Sequence, residues 1–130
     1  MLLSKVKTGV EFETYIKDIL VHSGMRVDET KKSHDFGADL LFRYLGRKYA
    51  VQCKWSKNPV GVKAVQEVVS SLVYYNAQRG VVVTNSIFTA SAKRLAILND
   101  VVLFDGPGYQ PYVSDDSEMG LDSEILGRLS

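Results

Sequence analysis

Residues 38 to 55 read ADLLFRYLGRKYAVQCKW, and how this stretch folds back on itself decides the architecture. Two largely apolar runs, ADLLFRYL (38–45) and KYAVQCKW (48–55), flank Gly46-Arg47, and a glycine followed by another residue suits a tight primed turn between antiparallel strands. The stretch is therefore expected to be a hairpin. With Gly46 and Arg47 as its loop, Leu45 pairs with Lys48, Leu41 with Gln52 and Asp39 with Lys54. Side chains alternate between the faces of a strand. One face then carries Leu40, Phe42, Val51 and Cys53, and the other carries Asp39, Arg43, Gln52 and Lys54 beside Leu41 and Ala50.

Before the hairpin, TGVEFETYIKDILVHS (8–23) opens with Thr8 and places Glu11 three residues later, the pattern of a capping box. Phe12, Tyr15, Ile16, Ile19 and Leu20 follow at helical spacing, and Gly24 ends the helix. MRVDETK (25–31) is expected to be a short strand. After the hairpin, Pro59 and Gly61 punctuate a loop, and residues 62 to 78 carry Val62, Val65, Val69, Leu72 and Val73 at helical spacing. GVVVTN (80–85) is a β-branched run typical of a central strand covered on both faces. A third helix is expected to begin near Thr89, and VVLFDG (101–106) is the last strand. The order α-β-β-β-α-β-α-β implies an α/β fold, a mixed sheet with helices on both faces.

At 130 residues, with 45% hydrophobic and 24% charged residues, the chain has the composition of one soluble globular domain. No apolar run approaches the roughly 18 residues of a membrane span. A lone cysteine, Cys53, excludes an internal disulfide, and MLLSKVKTG is too short an apolar patch for a signal-peptide core, so a cytoplasmic location is expected. Charge is unevenly spread. From Ser114 onward five acids face one base, Arg128, whereas the first 113 residues hold fifteen bases and ten acids. The body is mildly basic, as suits a polyanionic partner. The expected division is a folded domain over 1–106 and a Pro/Gly linker with an acidic tail over 107–130, in which Leu121, Ile125, Leu126 and Leu129 could line a short helix.

An ammonium is rarely buried without a partner, so Lys54, in an otherwise apolar strand, needs one. Asp39 across the ladder supplies an ion pair, the plainest explanation. A second reading gives each group a task. Acids are dense at this strand end, with Asp35 and Asp39 around Gly37 in HDFGAD, Glu11 and Glu13 on the first helix, and the Gln52 oxygen on the same face. Such oxygen donors make a hard-cation site, because Mg²⁺ is held through one or two carboxylates together with waters and substrate phosphate oxygens. A cation at Asp39 can polarise a phosphoryl oxygen and acidify water, while Lys54 neutralises developing charge, which is the chemistry of phosphodiester hydrolysis.

GVEFETYIKDIL, HDFGADLL, YAVQCKW, VKAVQEV, GVVVTNSIFTASAKRLA and VVLFDG, in that order over residues 9 to 106, resemble the Mrr-type restriction endonuclease domain of the PD-(D/E)XK nuclease superfamily. The resemblance implies a restriction-endonuclease-like core and DNA cleavage with Mg²⁺, for which Mn²⁺ substitutes. It makes Asp39 the metal-binding aspartate, Gln52 a replacement for the superfamily's usual acid, and Lys54 the catalytic lysine. It also makes Glu13 the helix acid that completes the metal site, directly or through water. Helical periodicity leaves Glu11 and Glu13 equivalent, each about 100° from Phe12; the resemblance selects Glu13 and leaves Glu11 to the capping box. With an amide at position 52, chemistry with one metal ion is expected.

Lys57, Lys63, Ser86, Thr89 and Lys93 are candidate DNA-phosphate contacts, the hydroxyls lying where a helix N-terminus favours an anion; N-capping by Ser86 or Thr89 is the alternative. Asp35 reads more readily as a loop residue than a site residue, His34 as solvated or DNA-facing, and Cys53 and Trp55 as core. Tyr74 and Tyr75 are adjacent, so one must leave the buried stripe, and that side is a candidate dimer contact because cutting both strands of a duplex needs two sites. Two other functions fit the same residues: a Holliday junction resolvase-like, structure-specific nuclease, and a DNA-binding module with weak or partner-dependent catalysis. Site selection could also come from a separate specificity chain.

Overall fold

The computed structural model describes residues 3–30 and 36–106. After a 3-10 turn at Leu3–Lys5, the chain forms α1 (Gly9–His22), β1 (Val27–Glu29), β2 (Leu40–Tyr44) and β3 (Arg47–Lys54). It continues through α2 (Val62–Tyr75), β4 (Arg79–Thr84), α3 (Ala90–Leu98) and β5 (Val102–Phe104). The five strands form one sheet in the order β1-β2-β3-β4-β5. β1, β2 and β3 pair antiparallel, and the two crossovers through α2 and α3 make β3-β4 and β4-β5 parallel. The expected mixed α/β sheet and element order are therefore present.

Thr8 caps α1 by accepting from the Glu11 N–H at 3.1 Å, and Glu11 in return accepts from the Lys7 N–H at 2.9 Å. Apolar residues of α1 then cover one face of the sheet. Phe12, Tyr15, Ile16, Ile19 and Leu20 pack with Leu40, Phe42, Tyr49, Val51, Val81, Val83 and Phe104 in a dense, partly aromatic core. On the other face α2 and α3 present small side chains. Ala64, Val65, Val68, Ala92 and Ala96 pack with Ala50, Val60, Val82 and Phe88. Lys17 on α1 is tied to Glu29 on β1 at 2.7 Å, and that carboxylate raises the Lys17 pKa above its ordinary value.

The hairpin register differs from the expected one. Tyr44 pairs with Arg47, so the turn is Leu45-Gly46 and not Gly46-Arg47. Both turn residues have positive φ, 51° and 77°, as a type I′ turn requires. The sequence rule placed glycine first because a leucine in the left-handed region is uncommon. As a result Leu40 faces Val51 and Leu41 faces Ala50. Each partner moves by two residues, so every side chain keeps its predicted face while Asp39 loses Lys54 as its opposite neighbour. Helix α2 is also shorter than expected, because Asn76 adopts a left-handed conformation (φ 55°) and stops it. Val73, assigned to its apolar stripe, is 90% exposed; the buried row is Ala64, Val65, Val68 and Ser71.

Candidate active site

Strand pairing between β2 and β3 ends at Leu40–Val51, and the site lies just past that point. Asp39 is held there by its main chain. Its N–H donates to the Val51 carbonyl at 2.7 Å and its carbonyl accepts from the Thr30 N–H at 3.0 Å. Its carboxylate turns inward, and Oδ2 accepts from the Cys53 N–H at 2.9 Å. The approach to Asp39 requires a glycine at position 37. With φ +87°, Gly37 lies so close to α2 that a β-carbon there would come within 2.0 Å of the Glu67 carbonyl oxygen.

Gln52 and Lys54 share the face of β3 that carries Ala50, the face toward α2. Gln52 is 4% exposed, so its amide must find partners within the protein. One orientation supplies both: the nitrogen donates to Asp39 Oδ2 at 3.0 Å and the oxygen accepts from Lys54 Nζ at 3.2 Å. Lys54 also donates to Glu67 Oε1 on α2 at 3.2 Å, with the two side chains 33% and 26% exposed. The result is a continuous polar row, Asp39, Gln52, Lys54, Glu67. Gln52 bridges the aspartate and the lysine, in place of the direct cross-strand pair expected from the sequence. Glu67 was not singled out in the sequence because its partner is thirteen residues away and meets it only through the crossover.

Glu13 is 8% exposed on α1 and follows Phe12, whose ring lies 5.4 Å from that of Trp55. The first turns of α1 therefore pack toward the end of β3 that carries Lys54. Trp55 keeps 36% of its surface exposed, and Cys53 is partly buried against the α1-side core. Of the remaining candidates, Thr89 caps α3 by accepting from the Ala92 N–H at 3.1 Å. The Ser86 hydroxyl donates to the Asn58 carbonyl at 3.0 Å. A clamp not foreseen in the sequence lies beside them: the Asn85 amide bonds both the N–H and the carbonyl of Ser56, at 2.7 and 3.0 Å, and joins the ends of β3 and β4. Lys57, Lys63 and Lys93 are exposed. Tyr74 is exposed and stacks on Phe36 at 3.7 Å, while Tyr75 is partly buried. His34, Asp35 and the tail from residue 107 lie outside the described residues.

The donor set at this site is hard and sparse. Among the described residues no group of three or more His, Cys, Asp or Glu could hold a metal ion, which excludes a thiolate- or imidazole-rich zinc centre within them. Asp39 and Gln52 offer a carboxylate and an amide oxygen, the Glu67 carboxylate is taken by Lys54, and Glu13 belongs to α1, the helix that covers the opposite face of the sheet. Turning the Gln52 amide over would aim its oxygen at the Asp39 carboxylate, an arrangement that is favourable only with a cation between the two oxygens. The pair thus fits a Mg²⁺-like ion completed by water and phosphate oxygens.

The described residues form a five-stranded mixed sheet flanked by three helices, with an Asp, Gln and Lys row where the β2-β3 pairing ends, the make-up of a restriction-endonuclease-like nuclease domain. The family model Mrr_cat, described as restriction endonuclease, matches residues 5–110, and the chain belongs to that family. Among solved structures, a crystal structure of a protein of unknown function, AF1548, is similar with a TM-score of 0.63 at 16% identity, over 89% of this chain and 66% of that one. The MspJI restriction endonuclease in complex with a 27-mer oligonucleotide gives a TM-score of 0.52 at 20% identity, over 88% of this chain and 26% of that one. The DNA modification-dependent restriction endonuclease AspBHI gives 0.54 at 18% identity, over 94% and 39%. The chain thus spans less than two thirds of each of these structures, and the likenesses establish the fold. No curated protein matches the chain. Among the described residues no helix is long and apolar enough to cross a membrane.

Proposed function

We propose that this chain is a Mg²⁺-dependent DNA endonuclease that hydrolyses phosphodiester bonds at the Asp39-Gln52-Lys54 row, with Mn²⁺ able to replace Mg²⁺. The observation that carries this reading is the unbroken contact from the Asp39 carboxylate through the Gln52 amide to the Lys54 ammonium. Asp39 and Gln52 would hold the ion, with Glu13 of α1 completing its shell directly or through water. When bound, it supplies polarisation of a phosphoryl oxygen and a water of lowered pKa.

The protein's own groups do the rest. An ammonium has three N–H donors. With Glu67 accepting one of them, Lys54 keeps donors for a phosphate oxygen and is held where negative charge develops. Glu67 keeps the long lysine side chain from swinging into solvent. Asp39 is fixed by two main-chain hydrogen bonds and by the Cys53 N–H, so its carboxylate needs little reorganisation before reaction. Lys57, Lys63, Ser86, Thr89 and Lys93 flank this end of the fold as phosphate contacts. A symmetric dimer through the Tyr74 side would present two sites to a duplex.

The decisive assay is cleavage of supercoiled plasmid in Mg²⁺. Asp39→Ala and Lys54→Ala are each expected to lower the rate by about 10³-fold or more, with a native fold retained by circular dichroism, and chelation by EDTA should abolish wild-type cleavage. Undiminished cleavage by both variants would remove the assignment. Running the wild type on linear, methylated, flapped and four-way DNA separates a restriction-type nuclease from a junction-specific one.

A further inference from the structure

A second group of charges lies on the same face of the sheet, at the other end of the strands. Arg43 on β2 stands directly opposite Lys48 on β3, and Val27 opposite Phe42 brings Arg26 alongside Arg43. Together with Asp28, Leu41 and Phe42 these three cations line a concavity of about 160 Å³. Like charges directly across a ladder are destabilising. Among the described residues Arg26, Arg43 and Lys48 form no ion pair, and Asp28 is the one acid in the lining.

Protection of a sheet edge against stray pairing explains charges on an outer strand, and β1 is an outer strand. It does not explain Arg43 and Lys48, which stand on the interior strands β2 and β3. A repulsive row inside the sheet costs folding stability, and an anionic ligand would offset that cost.

The face is informative too. Asp39, Leu41 and Arg43 alternate onto one side of the chain, as do Lys48, Ala50, Gln52 and Lys54. From Asp39 to Arg43 is four residues, about 14 Å along the chain at 3.3–3.4 Å each. Two guanidiniums and an ammonium are suited to phosphate, and arginine can grip it with paired N–H groups.

Resting on the nuclease reading above, we propose that Arg26, Arg43 and Lys48 form a phosphate-binding subsite for the DNA backbone, apart from the Asp39-Gln52-Lys54 row. It contributes affinity, with no part in the chemistry. DNA binding measured by fluorescence anisotropy across a salt series, in the cleavage-deficient Asp39→Ala background, tests this. Arg43→Gln with Lys48→Gln is expected to weaken binding about tenfold, equally across sequences, and to reduce the slope of log K against log salt by about 1 to 2. The same double change in the otherwise wild-type chain should leave kcat at saturating DNA unchanged and leave Tm equal or higher, since a repulsion is removed.

Unchanged affinity and salt slope in the double variant on long duplexes would overturn the subsite while leaving the nuclease reading intact. A wild-type chain that neither binds nor cleaves DNA would remove both.

Discussion

The two faces of the sheet are built to different specifications. Toward α1 the sheet presents Leu40, Phe42, Tyr49, Val51, Val83 and Phe104, large apolar side chains that meet the buried stripe of a capped helix. Toward α2 and α3 it presents Ala50 and Val82 against Ala64, Ala92 and Ala96, and small residues there let the helices approach closely. At the strand end of that second face apolar packing gives way to Asp39, Gln52, Lys54 and Glu67. The proposed chemistry is concentrated where packing is thin, and stability where packing is thick.

If that division is real, mutations on the two faces should separate cleanly. Ile16→Ala, on the thick side, removes a fully buried branched side chain and is expected to cost about 2–5 kcal/mol. A fall in Tm of about 10 °C or more should accompany it, with cleavage per folded molecule unchanged. Gly37→Ala probes the border between the two roles. It sets a β-carbon against the Glu67 carbonyl at a positive φ, which should cost about 2 kcal/mol or more. Since the same loop leads to Asp39 and presses on the residue that holds Lys54, cleavage should fall further than unfolding alone explains. Equal loss of Tm and activity would contradict that link. The smallest effect is expected at Leu45→Asn in the hairpin turn, far from the site. Asparagine tolerates the left-handed region better than leucine, so urea unfolding should show a gain of about 0.5–1 kcal/mol with no change in cleavage.

Much of this division can be read in the sequence, for a geometric reason. The hairpin register follows from the turn, and the turn was assigned one position too late, so every cross-strand partner moved by two residues. A shift of two preserves the alternation of side chains. Leu40, Phe42 and Val51 therefore stayed together in the core, and Asp39, Gln52 and Lys54 stayed together on the opposite face. What the shift altered was adjacency: Gln52 stands between Asp39 and Lys54, where a direct ion pair was expected. Glu67 was hidden for another reason. Periodicity marks an apolar stripe on α2 through Val65, Val69 and Leu72, but it carries no information on which strand residue a flanking side chain meets after a parallel crossover. The basic row of Arg26, Arg43 and Lys48 was hidden likewise, since it exists only once three strands are in register.

The central claim is that Asp39 and Gln52 are an oxygen-donor pair for a divalent ion beside Lys54. Anomalous diffraction from crystals of the protein soaked in Mn²⁺ reads this directly. A manganese peak in contact with the Asp39 carboxylate and the Gln52 amide oxygen is the expected result, and an absence of anomalous density beside Asp39 would contradict it.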